Sequence, residues 1–238
     1  MKTAFVTGTS RGIGREVARQ LIAAGYVVFG GVRNKDKSRA DWADLPQGPG
    51  SIEAVVLDVT DAASIAAAAA EVKAKVPHLD LLINNAGIIG FRPVPGEPWP
   101  LDGIRAVFET NTFGVVAVTQ AFLPVLRMAP EPRIVNVTSG LGSLTRQSQP
   151  DWEYYPFKSA YFASKAALNA FTIWQAYDLR ETPFKVNVVD PGYTATEFNN
   201  FRGPGRVEDA AAVIVKYATL GADGPTGGFF DREGAVPW

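Results

Sequence analysis

Short apolar runs rich in Val, Ile and Leu alternate along this chain with longer segments whose apolar residues recur at helical spacing. The runs predict strands near Thr3–Val6, Val27–Val32, Ile52–Leu57, Leu81–Ile83, Arg133–Val137, Lys185–Val189 and Gly228–Phe230. The segments between them predict helices near Arg15–Ala24, Ala62–Lys75, Leu101–Arg127, Ala160–Arg180 and Val207–Leu220. Because the strands are near-continuous apolar runs, both of their faces are expected to be buried. Strand–helix alternation then places them in a mostly parallel seven-stranded sheet with helices on both faces. The Ala66–Ala70 run reads as helix, given the high helix propensity of Ala. Phe91–Pro100 carries Pro93, Pro95, Pro98 and Pro100 and must be a loop. No stretch reads as a linker and no solenoid repeat is present, so residues 1–238 read as one doubly wound α/β domain.

Composition narrows the functional classes. The formal charge is −1, from 23 basic and 24 acidic residues, so the basic excess of a nucleic-acid binder is missing. No apolar run approaches the roughly 18 residues of a membrane span, and the start of the chain does not read as a signal peptide. Zero cysteines exclude disulfides and thiolate chemistry, and His78, the single histidine, disfavours a zinc site or a serine–histidine hydrolase. The expectation is a cytoplasmic protein with no nucleic-acid, membrane or metal partner.

The first strand runs into Thr7-Gly8-Thr9-Ser10-Arg11-Gly12-Ile13-Gly14, and a helical pattern follows. Glycines at such a turn let the backbone approach a pyrophosphate, which then meets the free N–H groups of the helix N-terminus. The bland alternative is a glycine-rich turn with no ligand. The spacing is Gly-x-x-x-Gly-x-Gly, and with it the chain resembles the short-chain dehydrogenase/reductase family. The resemblance continues through Asp58-Val59, Asn84-Asn85-Ala86-Gly87, Asn111, Ser139, Tyr161 with Lys165, and Pro191-Gly192 with Thr196. It implies a Rossmann fold and a nicotinamide dinucleotide held by Gly8, Ser10, Arg11, Gly12, Ile13 and Gly14.

A carboxylate closing the second strand would bond the adenosine ribose and repel a 2′-phosphate, selecting NAD. In the family's pattern that acid would fall at Val32, and Arg33 follows with a guanidinium able to fork onto a phosphate. Arg11 adds a second positive charge where the family's NADP-preferring members carry one. NADP(H) is therefore the expected cofactor. Asp58 and Val59 fall where the family contacts adenine, although Asp58 reads equally well as a turn residue. Asn85, Ala86 and Gly87 would let backbone lie against the cofactor, with Pro191, Gly192, Thr194 and Thr196 around the nicotinamide.

Tyrosine needs help to work as an acid–base group, because its reference pKa is about 10. An ammonium about 4 Å away supplies roughly the 4 kcal/mol required to bring it near 7. Tyr and Lys four positions apart share one helix face. Two pairs have that spacing, Tyr154/Lys158 and Tyr161/Lys165. The first encloses Pro156, which works against a continuous helix, whereas the second continues as an unbroken helical pattern. Only the second resembles the family's motif. That resemblance implies Tyr161 as proton donor, Ser139 as hydrogen-bond donor to the carbonyl oxygen, Lys165 as the residue that lowers the Tyr161 pKa and holds the ribose, and Asn111 as holder of a relay water. Thr138 is the nearest rival of Ser139.

Tyr161 follows Ser139 by 22 positions, longer than in compact family members, which marks a substrate loop near 140–160. It contains Trp152, Tyr154, Tyr155 and Phe157, and a lid segment near 193–206 contains Phe198, Phe201 and Gly203-Pro204-Gly205. These aromatics suit an apolar ketone or aldehyde, or they simply pack the loop onto the domain. The loop and the Pro225–Asp231 ending resemble the carbonyl-reductase-like branch. A 3-oxoacyl-thioester reductase of the same family and a non-catalytic NADP-binding regulator are the alternatives, and the second would show an eroded catalytic set. Pairing through the two long helices would give a homodimer or homotetramer.

Overall fold

The computed structural model describes residues 1–43, 45, 48–91, 97–151 and 159–238. Strands β1 (Thr3–Thr7), β2 (Val27–Val32), β3 (Ser51–Val56), β4 (Leu81–Asn84), β5 (Arg133–Val137), β6 (Lys185–Val189) and β7 (Phe229–Phe230) form one sheet. Its order is β3-β2-β1-β4-β5-β6-β7, and every pairing is parallel. The chain reverses direction of travel between β1 and β4, so a crevice opens at the carboxyl ends of those two strands, where ligands bind in such sheets.

The apolar runs become strands because each supplies both faces. Ala4, Val6, Val28, Leu81, Ile83 and Val135 pack with Val17 and Leu21 of α1 (Gly12–Ala23) and Ala211 and Ile214 of α8 (Val207–Ala218). Their neighbours Phe5, Phe29, Leu82 and Ile134 face the other way. They meet Ile65 and Val72 of α3 (Ala62–Lys75) and Val118 and Phe122 of α5 (Gly114–Leu126). The Phe5 and Phe122 rings lie 4.3 Å apart, centroid to centroid. Side chains two apart share a face, so one unbroken apolar run feeds two cores.

Three elements depart from expectation. The helix expected over Leu101–Arg127 is α4 (Leu101–Phe108), a π-helical turn (Glu109–Phe113) and then α5. Such turns insert a residue into the helical ladder and recur at functional sites, and this one carries Asn111. A helix α2 (Lys35–Asp41) follows β2; it is short and polar, with no apolar period to reveal it, yet Asn34 caps it by accepting from the Lys37 N–H at 2.9 Å. A second short helix, α6 (Leu144–Gln147), lies inside the substrate loop. The longest helix, α7 (Ala160–Asp178), matches its pattern closely.

Polar bonds lock α7 to β5. Asn136 donates to Thr172 Oγ1 at 2.9 Å and Gln175 Oε1 at 3.2 Å, and its own Oδ1 accepts from Asn84 at 2.8 Å. Thr138 donates to Asn169 Oδ1 at 2.6 Å. All of these residues are buried.

Gly14 offers a test of the packing. A Cβ there would stand 2.3 Å from the Gly8 carbonyl oxygen, whereas one at Gly221 would meet nothing within 4 Å. Gly14→Ala should therefore cost about 1–3 kcal/mol in urea unfolding, the scale of an overpacked core. Gly221→Ala should stay within about 0.5 kcal/mol of the parent. Equal stabilities for the two variants would refute the close approach.

Candidate active site

The glycine loop is built from backbone that other residues avoid. Gly8 and Gly12 have φ of 72° and 56°, in the left-handed region. Thr7 Oγ1 accepts from the Asn85 and Ala86 N–H groups, each at 2.9 Å, and Asn85 Nδ2 donates back to the Thr7 carbonyl at 3.0 Å. These bonds staple the end of β1 to the end of β4. Trp42 anchors the loop from the side by donating its indole N–H to the Thr9 carbonyl at 2.9 Å. Helix α1 starts with no acidic residue in its first turn and no side-chain cap from Arg11. Its first N–H groups are therefore available to an anion. Half-buried Ser10 and Ile13 and exposed Arg11 complete the loop. A cradle whose Gly8, Gly12 and Gly14 lack Cβ atoms, under an uncapped helix N-terminus, fits a dinucleotide pyrophosphate.

At the outer end of the crevice, Val32 is buried and Arg33 is exposed. Asp58 Oδ1 accepts from Thr60 N at 2.9 Å and Thr60 Oγ1 at 2.7 Å, which holds its carboxyl below the usual range, with a smaller contribution from the Arg33 charge. Of the two readings open for Asp58, the turn is the one these bonds carry. Val59 lies against the start of α5, its carbonyl oxygen 2.6 Å from where a Cβ on Gly114 would stand.

The inner end gathers the residues expected to do chemistry. Ser139, Tyr161 and Lys165 come together, Ser139 at the N-cap of a 3-10 turn (Gly140–Gly142) and the other two on the first turns of α7. Ser139 lies beside the Tyr161 hydroxyl, and its Oγ accepts from Leu141 N at 3.2 Å. Lys165 is 3% exposed and donates to the Val137 carbonyl at 2.7 Å. A Cβ on Gly87 would stand 3.2 Å from Asn111 Oδ1 and 3.7 Å from Lys165 Nζ, so these three residues meet at one point. Thr138, the rival hydroxyl, is buried and bonded to Asn169, turned away from this cluster.

One expectation needs correction. Lys165 does not lower Tyr161 here. Its Nζ lies 5.8 Å from the centre of the phenol ring, and the phenol stands above its ordinary value. Burial and the negative charge of Asp190 push it up, and the nearby Ser139 hydroxyl only partly offsets them. Asn111 uses its side chain to bind protein: Nδ2 donates to the Ile88 carbonyl at 2.8 Å and to Ser164 Oγ at 3.1 Å, and Oδ1 accepts from Ile88 N at 2.8 Å. It ties the π turn to the β4 end and to α7.

Thr194 and Thr196 are buried beyond the Pro191-Gly192 turn. Thr194 Oγ1 donates toward the Gly192 carbonyl at 3.2 Å, and Thr196 Cγ2 would lie 3.6 Å from a Cβ on Gly12, so the lid segment returns onto the glycine loop. Phe198 sets its ring edge-on to Tyr161 with centroids 5.8 Å apart. Trp152, Tyr154, Tyr155, Phe157 and Lys158 of the substrate loop lie outside the described residues, as do Pro93 and Pro95. The sequence reading missed Thr7, Trp42 and Asp190. An acid directly before Pro191 at the carboxyl end of a strand was the signal for the last.

The short chain dehydrogenase family description matches residues 2–206. The chain belongs to the short-chain dehydrogenase/reductase family. It is 30% identical to (-)-isopiperitenone reductase of Mentha piperita, over 98% of this chain and 97% of that one. It is 36% identical to the short-chain dehydrogenase anuI of Penicillium roqueforti, over 92% and 88%. Among solved structures, NADPH-bound carbonyl reductase from chicken fatty liver superposes with a TM-score of 0.83 at 28% identity, covering 100% of this chain and 99% of that one. Members of this family use nicotinamide dinucleotides, so the chain is an oxidoreductase acting between CH–OH and C=O. No helix among the described residues is long and apolar enough to cross a membrane.

Burial pushes Lys165 down to about 8. In the unfolded chain a lysine keeps its proton to about 10.4. Between those values the unfolded chain binds more protons, so this group's contribution to stability rises with pH from roughly 8 to 10, and its penalty is full below 8. The unfolding free energy of the parent relative to Lys165→Met should accordingly climb by on the order of 1–3 kcal/mol between pH 7.5 and pH 10. Parallel pH curves for the two proteins would rule this burial effect out.

Proposed function

We propose that the protein reduces a ketone or aldehyde to an alcohol at the expense of NADPH, with Tyr161 as general acid. The observation that carries this reading is the convergence of Ser139 and Tyr161 at the carboxyl edge of the sheet, with the buried Lys165 beside them. The bound nicotinamide would supply the hydride. A carbonyl oxygen lodged between the two hydroxyls accepts a hydrogen bond from Ser139 as negative charge develops on it. Tyr161 then gives that oxygen its proton, and the reverse reaction returns it. With its phenol held above the ordinary value, Tyr161 is fully protonated at neutral pH, as the reducing direction requires. Lys165 would hold the nicotinamide ribose, with Thr194 and Thr196 closing the same end.

Preference for the phosphorylated cofactor rests on exposed Arg11 and Arg33 beside an apolar Val32. The chicken carbonyl reductase, by its name an NADPH-bound enzyme, supports it, and the Mentha piperita relative is by name a reductase of (-)-isopiperitenone. Phe198 against Tyr161, with Tyr193 and Phe201 exposed on the lid segment, favours an apolar substrate. Exposed Phe113, Ile173, Trp174 and Tyr177 supply apolar surface for pairing of the long helices into a homodimer or homotetramer.

Oxidation of NADPH against a panel of ketones, aldehydes and acyl thioesters tests the reading. Tyr161→Phe should lower turnover about 10²- to 10⁴-fold, the usual worth of a positioned acid. A Phe variant as fast as the parent would end it. The double change Val32→Asp, Arg33→Ala should move the NADPH/NADH ratio of kcat/KM toward NADH by about 10- to 100-fold, the worth of charged hydrogen bonds to a phosphate. An unmoved ratio would show that the 2′-phosphate sits elsewhere.

A further inference from the structure

Beyond β7 the chain doubles back on itself. The Asp231 N–H donates to the Gly234 carbonyl at 2.8 Å, Ala235 bridges Phe230 in the antiparallel sense, and the Val236 N–H donates to the Phe229 carbonyl at 2.8 Å. Val236 packs with Val188 and Phe229, and the Trp238 ring lies against Phe229 with centroids 5.6 Å apart. This return segment then reaches α6, the short helix of the substrate loop. Ser143 donates its hydroxyl to the Pro237 carbonyl at 2.6 Å, and Thr145 donates its N–H to the main-chain oxygen of Trp238 at 2.8 Å. Arg146 pairs with Asp231 at 3.5 Å.

A helix of four residues does not hold by itself, because so short a run never recovers the cost of its first turn. Its leading N–H groups also lack partners inside the helix. In α6 they are met by a cap and by the return segment: Ser143 Oγ accepts from Arg146 N at 3.1 Å, and Trp238 accepts from Thr145. The same helix is tied to the turn that carries Ser139. Gln147 Nε2 donates to the Leu141 carbonyl at 2.6 Å and Ser143 N to the Gly140 carbonyl at 3.1 Å. Arg146 Nη1 lies 3.1 Å from where a Cβ on Gly140 would stand. Ser143 is fully buried at this junction. The return segment therefore holds α6, and α6 holds the Ser139 turn. In the sheet, β4, β5 and β6 separate this edge from β1 and its glycine cradle.

Resting on the reductase reading above, we propose that Pro237 and Trp238 are positioning residues of the carbonyl site: through Ser143 and Thr145 they hold α6, and with it the Ser139 turn and the start of the substrate loop, in the geometry that receives the carbonyl compound. Because the cofactor cradle stands on the far side of the sheet, the two binding events separate by measurement. Trp238→Ala removes the ring that seats the segment on Phe229, and Trp238→Phe keeps an aromatic ring there. Ser143→Ala removes the donor to Pro237 and the cap of α6 while leaving the core contacts of Val236 and Trp238 in place.

The test joins steady-state reduction with NADPH to limited digestion by trypsin, read by mass spectrometry. Trypsin cuts after Arg146 in α6 and after Lys37 in α2, beside the opposite edge of the sheet. Trp238→Ala and Ser143→Ala should each raise KM for the carbonyl compound about tenfold, the scale of one lost hydrogen bond, while KM for NADPH stays within about twofold. Both should speed the cut after Arg146 about tenfold and leave the cut after Lys37 unchanged, as local opening does. Trp238→Phe should keep the parent's values. Ala variants that match the parent in carbonyl KM and in the Arg146 cut overturn the proposal, and a faster cut with an unmoved carbonyl KM overturns the link to the site. Both KM values rising together, or both cuts, would also overturn it, since that marks loosening of the whole fold. If Trp238→Ala does not fold, Ser143→Ala decides alone. A parent without NADPH-dependent turnover overturns the reductase reading instead, and the Arg146 cut then still tests whether the segment holds α6.

Discussion

The buried ladder between β5 and α7 is the constraint on which the site depends. Asn136 and Val137 of β5 and Thr138 just beyond it are met by Thr172 and Gln175, by Lys165, and by Asn169. Each bond spans strand to helix inside the protein, where an unpaired polar group costs about 1–3 kcal/mol. A sheet-to-helix contact of apolar side chains alone could slide by a fraction of a turn. This one cannot slide without orphaning several buried donors at once, so Ser139 at the end of the strand and Tyr161 at the start of the helix hold a fixed distance.

The same logic places the cofactor end. Thr7 and Asn85 exchange bonds between the ends of β1 and β4, and Asn111 bonds the backbone of Ile88 across the crevice to Ser164. The π turn is what brings Asn111 inward, since one extra residue in the ladder rotates the positions around it. Small residues complete the arrangement. Gly14 and Gly87 sit where a Cβ would strike Gly8 or crowd Asn111 and Lys165.

The electrostatics of the site follow from enclosure. Burial disfavours both the tyrosinate and the lysine ammonium, so it drives the phenol up and the amine down together. The spacing of Tyr161 and Lys165 suggested an ion-pair effect of one helical turn. The folded protein spends the lysine on the Val137 carbonyl instead, and the acid that faces the phenol comes from a strand end 29 positions away. Desolvation and a distant like charge outweigh a neighbour in sequence.

Every strand, the parallel sheet, the glycine cradle and the Ser139–Tyr161–Lys165 set could be read from the chain. Local rules decide them: an apolar run long enough to bury two faces, glycines where only φ above zero fits, and a helical spacing of four. The dipeptide Asn34–Lys35 and the polar helix behind it left no such period, and neither did the π turn, whose extra residue shows only in the hydrogen-bond ladder. The pairing of Trp42 with Thr9 and the direction in which Tyr161 is shifted belong to the tertiary structure. They depend on which loops meet and how much water is excluded between them, and those are sums over residues far apart in the chain that no local pattern encodes.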